Sequence, residues 1–197
     1  MVTAKSRMRN PRGKGAQLRE DLVAAARRLL DRSGHESAVT IRAVTREAGV
    51  APQSFYLHFP TRDDLLLVLF RDAHRQLYDR MQSAVDGIRN PKRRLRAICA
   101  AYLSFSREQP AAYRTLMGTV GEVHDWKPDE LPGIESFTLL HNAVADVRGT
   151  LAEEAHVVSA TLWAQLHGIA ELTRTRPTFP WPSSDKLLDQ VVAAVGG

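Results

Sequence analysis

Apolar residues recur at three- and four-residue spacing along almost the whole chain, and no stretch alternates apolar with polar residues as a half-buried strand would. This periodicity restricts a chain of 197 residues to an all-α architecture, helices packed on helices around a buried core. No apolar run approaches the roughly 18 residues that span a bilayer, and the basic start is not followed by a signal-like apolar stretch. The single cysteine, Cys99, allows no internal disulfide, so a cytoplasmic protein with no membrane partner is expected.

The punctuation of the pattern divides it. Leu18, Leu22, Ala25, Ala26 and Leu29 predict a helix over Ala16–Ser33, stopped by Gly34. Thr40 offers its side-chain oxygen as the cap of a short helix whose inward stripe is Ile41, Val44 and Ala48 and whose stop is Gly49. Pro52 stands at a first helical position, and Phe55 and Phe59, four apart, share the inner face of a third short helix, which Pro60 ends. Two brief helices joined by a tight glycine-containing turn and braced by a longer one form a helix-turn-helix unit. Thr61 and Asp64 then read as a capping box for a long helix from Asp63 to about Ile88. Further helices are expected from Pro91 (Leu95, Ile98, Tyr102, Phe105), from Pro110 (Tyr113, Leu116, Met117), and over 134–151, 152–173 and 184–195. A loop over 118–133 carries His124, Asp125 and Trp126.

Charge follows the same division. Residues 1–80 carry 15 lysines and arginines against 9 acids, residues 81–197 carry 12 against 13, and the first fourteen hold Lys5, Arg7, Arg9, Arg12 and Lys14 with no acid. Such a start reads as a flexible arm drawn to polyanions, or as a plain solubilising tail. Three domains are expected: an arm over 1–15, a helix-turn-helix unit over 16–62, and a larger helical unit over 63–197.

The string from Thr40 to Leu66, TIRAVTREAGVAPQSFYLHFPTRDDLL, resembles the DNA-binding region of the TetR family of bacterial transcriptional regulators. Trp163-Ala-Gln-Leu-His167-Gly168 resembles the Trp-His-Gly signature of one subgroup of that family's ligand-binding domains. The resemblance implies a homodimer that binds a palindromic double-stranded DNA operator and releases it when a small hydrophobic or amphipathic effector enters the C-terminal bundle, most simply a repressor. It also implies dimerisation through 152–173 and 184–195. Tyr56 and His58 resemble the family's phosphate-contacting pair, and a phenol or imidazole can indeed bond phosphate oxygens. Arg62 would add a cation and Thr40 a further polar contact; Arg42 is placed to reach a guanine edge or a phosphate, and Gln53 and Ser54 to reach base edges. Ala51 departs from the serine or threonine cap usual there, and Pro52 offers no side chain to contact a base.

In the C-terminal half Tyr102, Phe105, Tyr113, Met117, Phe137, His141, Trp163 and His167 are of the type that lines an apolar ligand chamber, although the same residues would equally build a core. His167, four residues from Trp163, suits a bonded core histidine, a ligand contact or, least readily, a metal ligand; His124, His141 and His156 are too scattered for a metal site. Lys92–Arg96 reads as a solvated basic face rather than a second DNA contact, and Cys99 as a small buried hydrophobe. An enzyme is disfavoured, since no phosphate loop, dinucleotide fingerprint or nucleophile elbow is present, and no cofactor is implied. A nucleic-acid binder without effector control would leave the near-neutral C-terminal half without a role.

Overall fold

The computed structural model describes residues 14–118, 127, 131–150 and 152–196. The arm residues Lys5, Arg7, Arg9 and Arg12, and the loop residues His124, Asp125 and Trp126, lie outside them. Among the described residues the regular structure is helical: α1 (Lys14–Ser33), α2 (Ile41–Glu47), α3 (Pro52–Phe55), α4 (Arg62–Ser83), α5 (Pro91–Glu108), α6 (Pro110–Leu116), α7 (Ile134–Arg148), α8 (Ala152–Thr175) and α9 (Ser184–Ala193). They form two compact units, and the division falls inside α4, between Leu69 and Phe70.

Local chemistry sets most helix ends. The Thr40 hydroxyl accepts the Ala43 N–H at 3.1 Å, Asn90 accepts the Arg93 N–H at 3.0 Å, and Ser183 accepts the Lys186 N–H at 3.4 Å, each satisfying a donor that a first turn leaves open. Thr61 and Asp64 close a reciprocal box: Asp64 Oδ2 accepts the Thr61 N–H at 2.9 Å while Thr61 Oγ1 accepts the Asp64 N–H at 3.2 Å. Ala51 caps α3 with no side-chain bond, leaving Pro52 to fix the first φ. α4 ends at Ser83 rather than near Ile88, because the chain turns through residues 84–87 and Gly87 takes a left-handed φ of 73°. Likewise α7 stops at Arg148, where Gly149 turns left-handed.

In the first unit α1 packs on α2, and α2 on α3. Leu22, Ala25, Ala26, Val44, Phe55, Phe59, Leu65 and Leu66 form its buried interior. Arg28 and Arg32 of α1 both reach Glu47 at the end of α2, at 2.9 and 2.6 Å, and these two bonds hold the Glu47 carboxyl down to about 2. In the second unit α5 is the central helix, contacting α6, α7, α8 and α9. Its inner residues Leu95, Ile98, Tyr102 and Phe105 meet Leu77 and Met81 of α4, Leu140 of α7, Leu162 and Leu166 of α8, and Leu188 of α9. Cys99 is fully buried there, and burial pushes its thiol up to about 12, so it behaves as an inert apolar residue. Two arginines of the basic run at the start of α5 pair with neighbouring helices, Arg94 with Asp146 of α7 at 3.2 Å and Arg96 with Asp189 of α9 at 2.7 Å.

Candidate functional site

Two features of the described residues can do chemistry, one in each unit.

The first is the polar face around α3. Gly49 turns the chain between α2 and α3 with a φ of 70°, where an L side chain would be strained. α3 is a single turn, so Tyr56 closes it and His58 lies in the turn that follows. Burial of Phe55 and Phe59, whose ring centroids are 5.6 Å apart, fixes that segment inward and turns its other side out. Tyr56 is 58% exposed, Gln53 exposed, and Ser54 and His58 half-exposed; Arg42 and Thr40 are exposed at the start of α2. Leu57 is 74% exposed between Tyr56 and His58. Sequence reasoning misses it, its one signal being an apolar side chain inside a polar string; an apolar group there can pack against a thymine methyl.

Arg62 is differently employed. Its Nε donates to the Val39 carbonyl at 2.7 Å and one terminal nitrogen donates to the Glu36 carbonyl at 2.6 Å, while the other pairs with Asp63 at 3.3 Å. The guanidinium therefore clamps the α1–α2 connection to the start of α4. Arg62→Ala is expected to lower the stability of this unit by about 1–2 kcal/mol, because two backbone carbonyls lose a charged donor. A midpoint unchanged in urea would show the clamp to be dispensable.

The second feature is a cavity of about 340 Å³ in the second unit, walled by α4, α5, α7 and α8. Of the side chains singled out in the sequence, Tyr102, Met117, Phe137 and Trp163 line it. Phe105 and Tyr113 are wholly buried and do not; nor do His141 and His167. Instead His167 Nδ1 is joined to the Tyr113 hydroxyl at 2.7 Å, and Tyr113 lies 3.5 Å, oxygen to oxygen, from Tyr102, so a polar relay runs from the cavity wall to α8. Burial pushes both phenols up, and they act as neutral hydrogen-bonding groups. His141 bonds Ser159 at 3.3 Å and stacks on Phe137. Phe70, His74, Leu77 and Met81, all from α4, also line it, and the sequence pattern does not mark them as ligand contacts. Among the described residues no His, Cys, Asp and Glu side chains are grouped to hold a metal ion, and no helix is long and apolar enough to cross a membrane.

A one-turn helix presenting polar side chains after a glycine turn, together with an apolar cavity, is the pairing expected of a DNA-binding regulator. Residues 22–69 match the family model described as bacterial regulatory proteins, tetR family, and residues 95–195, more than half the chain, match the tetracyclin repressor-like C-terminal domain. The chain belongs to the TetR family. It is a ligand-responsive, DNA-binding transcriptional regulator. Similar solved structures share the fold across nearly the full length. A protein of unknown function from Rhodococcus sp. RHA1 aligns with a TM-score of 0.73 at 24% identity, covering 95% of each chain. A transcriptional regulator from Rhodococcus sp. Rha1 aligns at 0.67 and 22% identity over 90% of this chain and 95% of that one. The TetR family transcriptional regulator PfmR from Thermus thermophilus aligns at 0.59 and 16% identity over 88% and 94%.

Proposed function

We propose that this TetR-family protein acts in the cytoplasm as a homodimeric repressor, binding a palindromic operator through the α2–α3 face of each copy and releasing it when a small, largely apolar effector fills the cavity. The observation that carries this reading is that α4 supplies one wall of the cavity and is the same helix that begins in the DNA-binding unit. A ligand that favours one placement of α4 over another thereby changes the affinity for DNA. The outer side of α8 supports the homodimer: Val157, Ala164 and Leu172 are exposed at helical spacing, and Gly168 between them opens onto free space. A second helix can approach closely there. Two copies would meet half-sites about 34 Å, or one helical turn, apart, or a multiple of that.

Tyr56 and His58 serve as phosphate contacts, Arg42, Gln53 and Ser54 as base contacts, Thr40 as a polar neighbour to the backbone, and Leu57 as an apolar contact to a thymine methyl. The arm, with Lys5, Arg7 and Arg9, adds electrostatic affinity. Selection from random duplexes followed by binding titrations tests the assignment. Tyr56→Phe and His58→Ala are expected to weaken binding to every sequence alike, whereas Arg42→Ala and Gln53→Ala should relax preference at particular base pairs, by about 1–3 kcal/mol each. Removing residues 1–14 should flatten the dependence of affinity on salt. Asymmetric selected sites, or a monomer in sedimentation, would contradict the reading.

A further inference from the structure

We propose that the cavity takes a one-headed amphiphile, a molecule with bare hydrocarbon at the end that enters and its polar group at the other, left at a mouth formed by Met117, Leu131 and Trp163. This deepens the reading of the cavity as the effector chamber and rests on it.

The lining residues fall into two sets by exposure. Leu77, Met81, Leu116, Leu140 and Leu166, from α4, α6, α7 and α8, are each at most 7% exposed and form the closed inner part. Met117 just past α6, Leu131 ahead of α7 and Trp163 of α8 are 40%, 43% and 47% exposed. Apolar side chains that both line a cavity and meet water stand where it opens.

The inner part offers an occupant's polar group no free side-chain partner. Among the described residues no lysine, arginine, aspartate or glutamate lines the cavity. The ring nitrogens of His74 and Oγ of Ser136 are sealed from water behind the wall, so a molecule in the cavity does not meet them. The Tyr102 hydroxyl is already engaged: the Tyr113 hydroxyl lies 3.5 Å away and is itself joined to His167, and Trp163 is a further hydrogen-bond partner. Where α7 begins, the Ile134 and Phe137 N–H groups donate to the Leu131 and Gly133 carbonyls at 3.0 and 3.1 Å. A hydroxyl carried to the inner end therefore gives up its water for nothing, and a carboxylate loses far more. At the mouth the same group stays hydrated. An apolar cavity of roughly 150 Å³ takes a benzene. With about 340 Å³, this one has room for a hydrocarbon end larger than a single ring.

Calorimetric titration of the full chain with two isomers tests this: 1,2-octanediol, with both hydroxyls at one end, and 1,8-octanediol, with one at each. Whichever way the second enters, a hydroxyl goes inward, so the 1,2-isomer is expected to bind at least about fivefold more tightly. Met81→Gln, which places an amide in the inner part, should narrow that ratio by about threefold or more. Met117→Arg alters an exposed position and so remains informative if glutamine at 81 unfolds the unit; it should tighten octanoate relative to 1-octanol by about threefold, the worth of an exposed ion pair. Equal affinity for the two diols, a diol ratio unmoved in folded Met81→Gln, or an octanoate-to-octanol ratio unmoved by Met117→Arg overturns the proposal. Operator affinity unchanged by saturating 1,2-octanediol, with the diol preference present, would instead overturn the effector reading and leave the orientation of the occupant standing. Binding of none of the probes overturns both.

Discussion

Phe55→Ala is expected to unfold the DNA-binding unit at physiological temperature while leaving the C-terminal unit folded. Phe55 is fully buried, packs against Phe59, and meets Tyr56 edge-on with centroids 5.7 Å apart, so one ring both fills the centre of this small unit and sets the orientation of its exposed polar face. Truncating a buried phenylalanine costs about 3–5 kcal/mol, against roughly 5–15 kcal/mol of total stability for a whole domain. For a unit of this size the melting temperature should fall by about 15–30 °C, and operator binding at 37 °C should disappear. Calorimetry that resolves two transitions in the wild type should show only the one belonging to the first unit displaced. Tyr56→Phe, which removes a single exposed hydroxyl, should move neither. A displacement under about 5 °C in Phe55→Ala would mean that the ring is not the centre of that core.

Acidification should destabilise the C-terminal unit through His74. The folded-state value is about 4 against an ordinary 6.5, and the cause is burial, which disfavours the charged ring. Between those values the unfolded chain binds a proton that the folded one refuses. The contribution of the neutral ring is therefore complete above pH 6.5, declines as pH falls from 6.5 to about 4, and changes no further below. The shift corresponds to about 2–3 kcal/mol across that window. Denaturant titrations of wild type and His74→Phe at intervals from about pH 7.5 to about 4 isolate it, because carboxylates common to both proteins cancel in the difference. The variant should lose less stability over the interval by that amount. Parallel curves would show that the ring titrates freely in the folded protein. Glu47 behaves in the opposite sense: its depressed carboxyl stabilises the first unit above its ordinary range and stops doing so only as pH falls toward about 2.

The local signals in the sequence are sufficient wherever a single side chain decides the outcome. Thr40, the Thr61–Asp64 box, Asn90 with Pro91, and Gly34 and Gly49 each mark a boundary through a bond or a φ available within a few residues, and the helices begin or end there. Apolar spacing alone is less reliable. Val85 and Ile88 continue the stripe of α4 past its true end at Ser83, because a turn can keep the same residues inward after the helix has stopped. Arg62 looks like a free cation beside a polar string, and only the fold brings it to carbonyls 23 and 26 residues away. Pocket and core cannot be separated by composition, since both are built from the same residue types. Tyr102 and Phe105 sit three apart on α5, yet the first lines the cavity and the second is sealed in the core. His74 does leave a trace, a polar residue in the apolar series Phe70, His74, Leu77 and Met81, whose meaning depends on Gly133, far along the chain.

The account rests on coupling between cavity and operator, and linkage makes that coupling reciprocal. The most direct test is the affinity of the full-length protein for its selected operator, titrated with and without a saturating ligand whose occupancy of the cavity has been established by calorimetry. The account predicts that the ligand weakens operator binding by roughly 5- to 150-fold, the range of a coupling free energy of about 1–3 kcal/mol, with the dimer mass unchanged. Operator affinity that is the same with the cavity full and empty would contradict it.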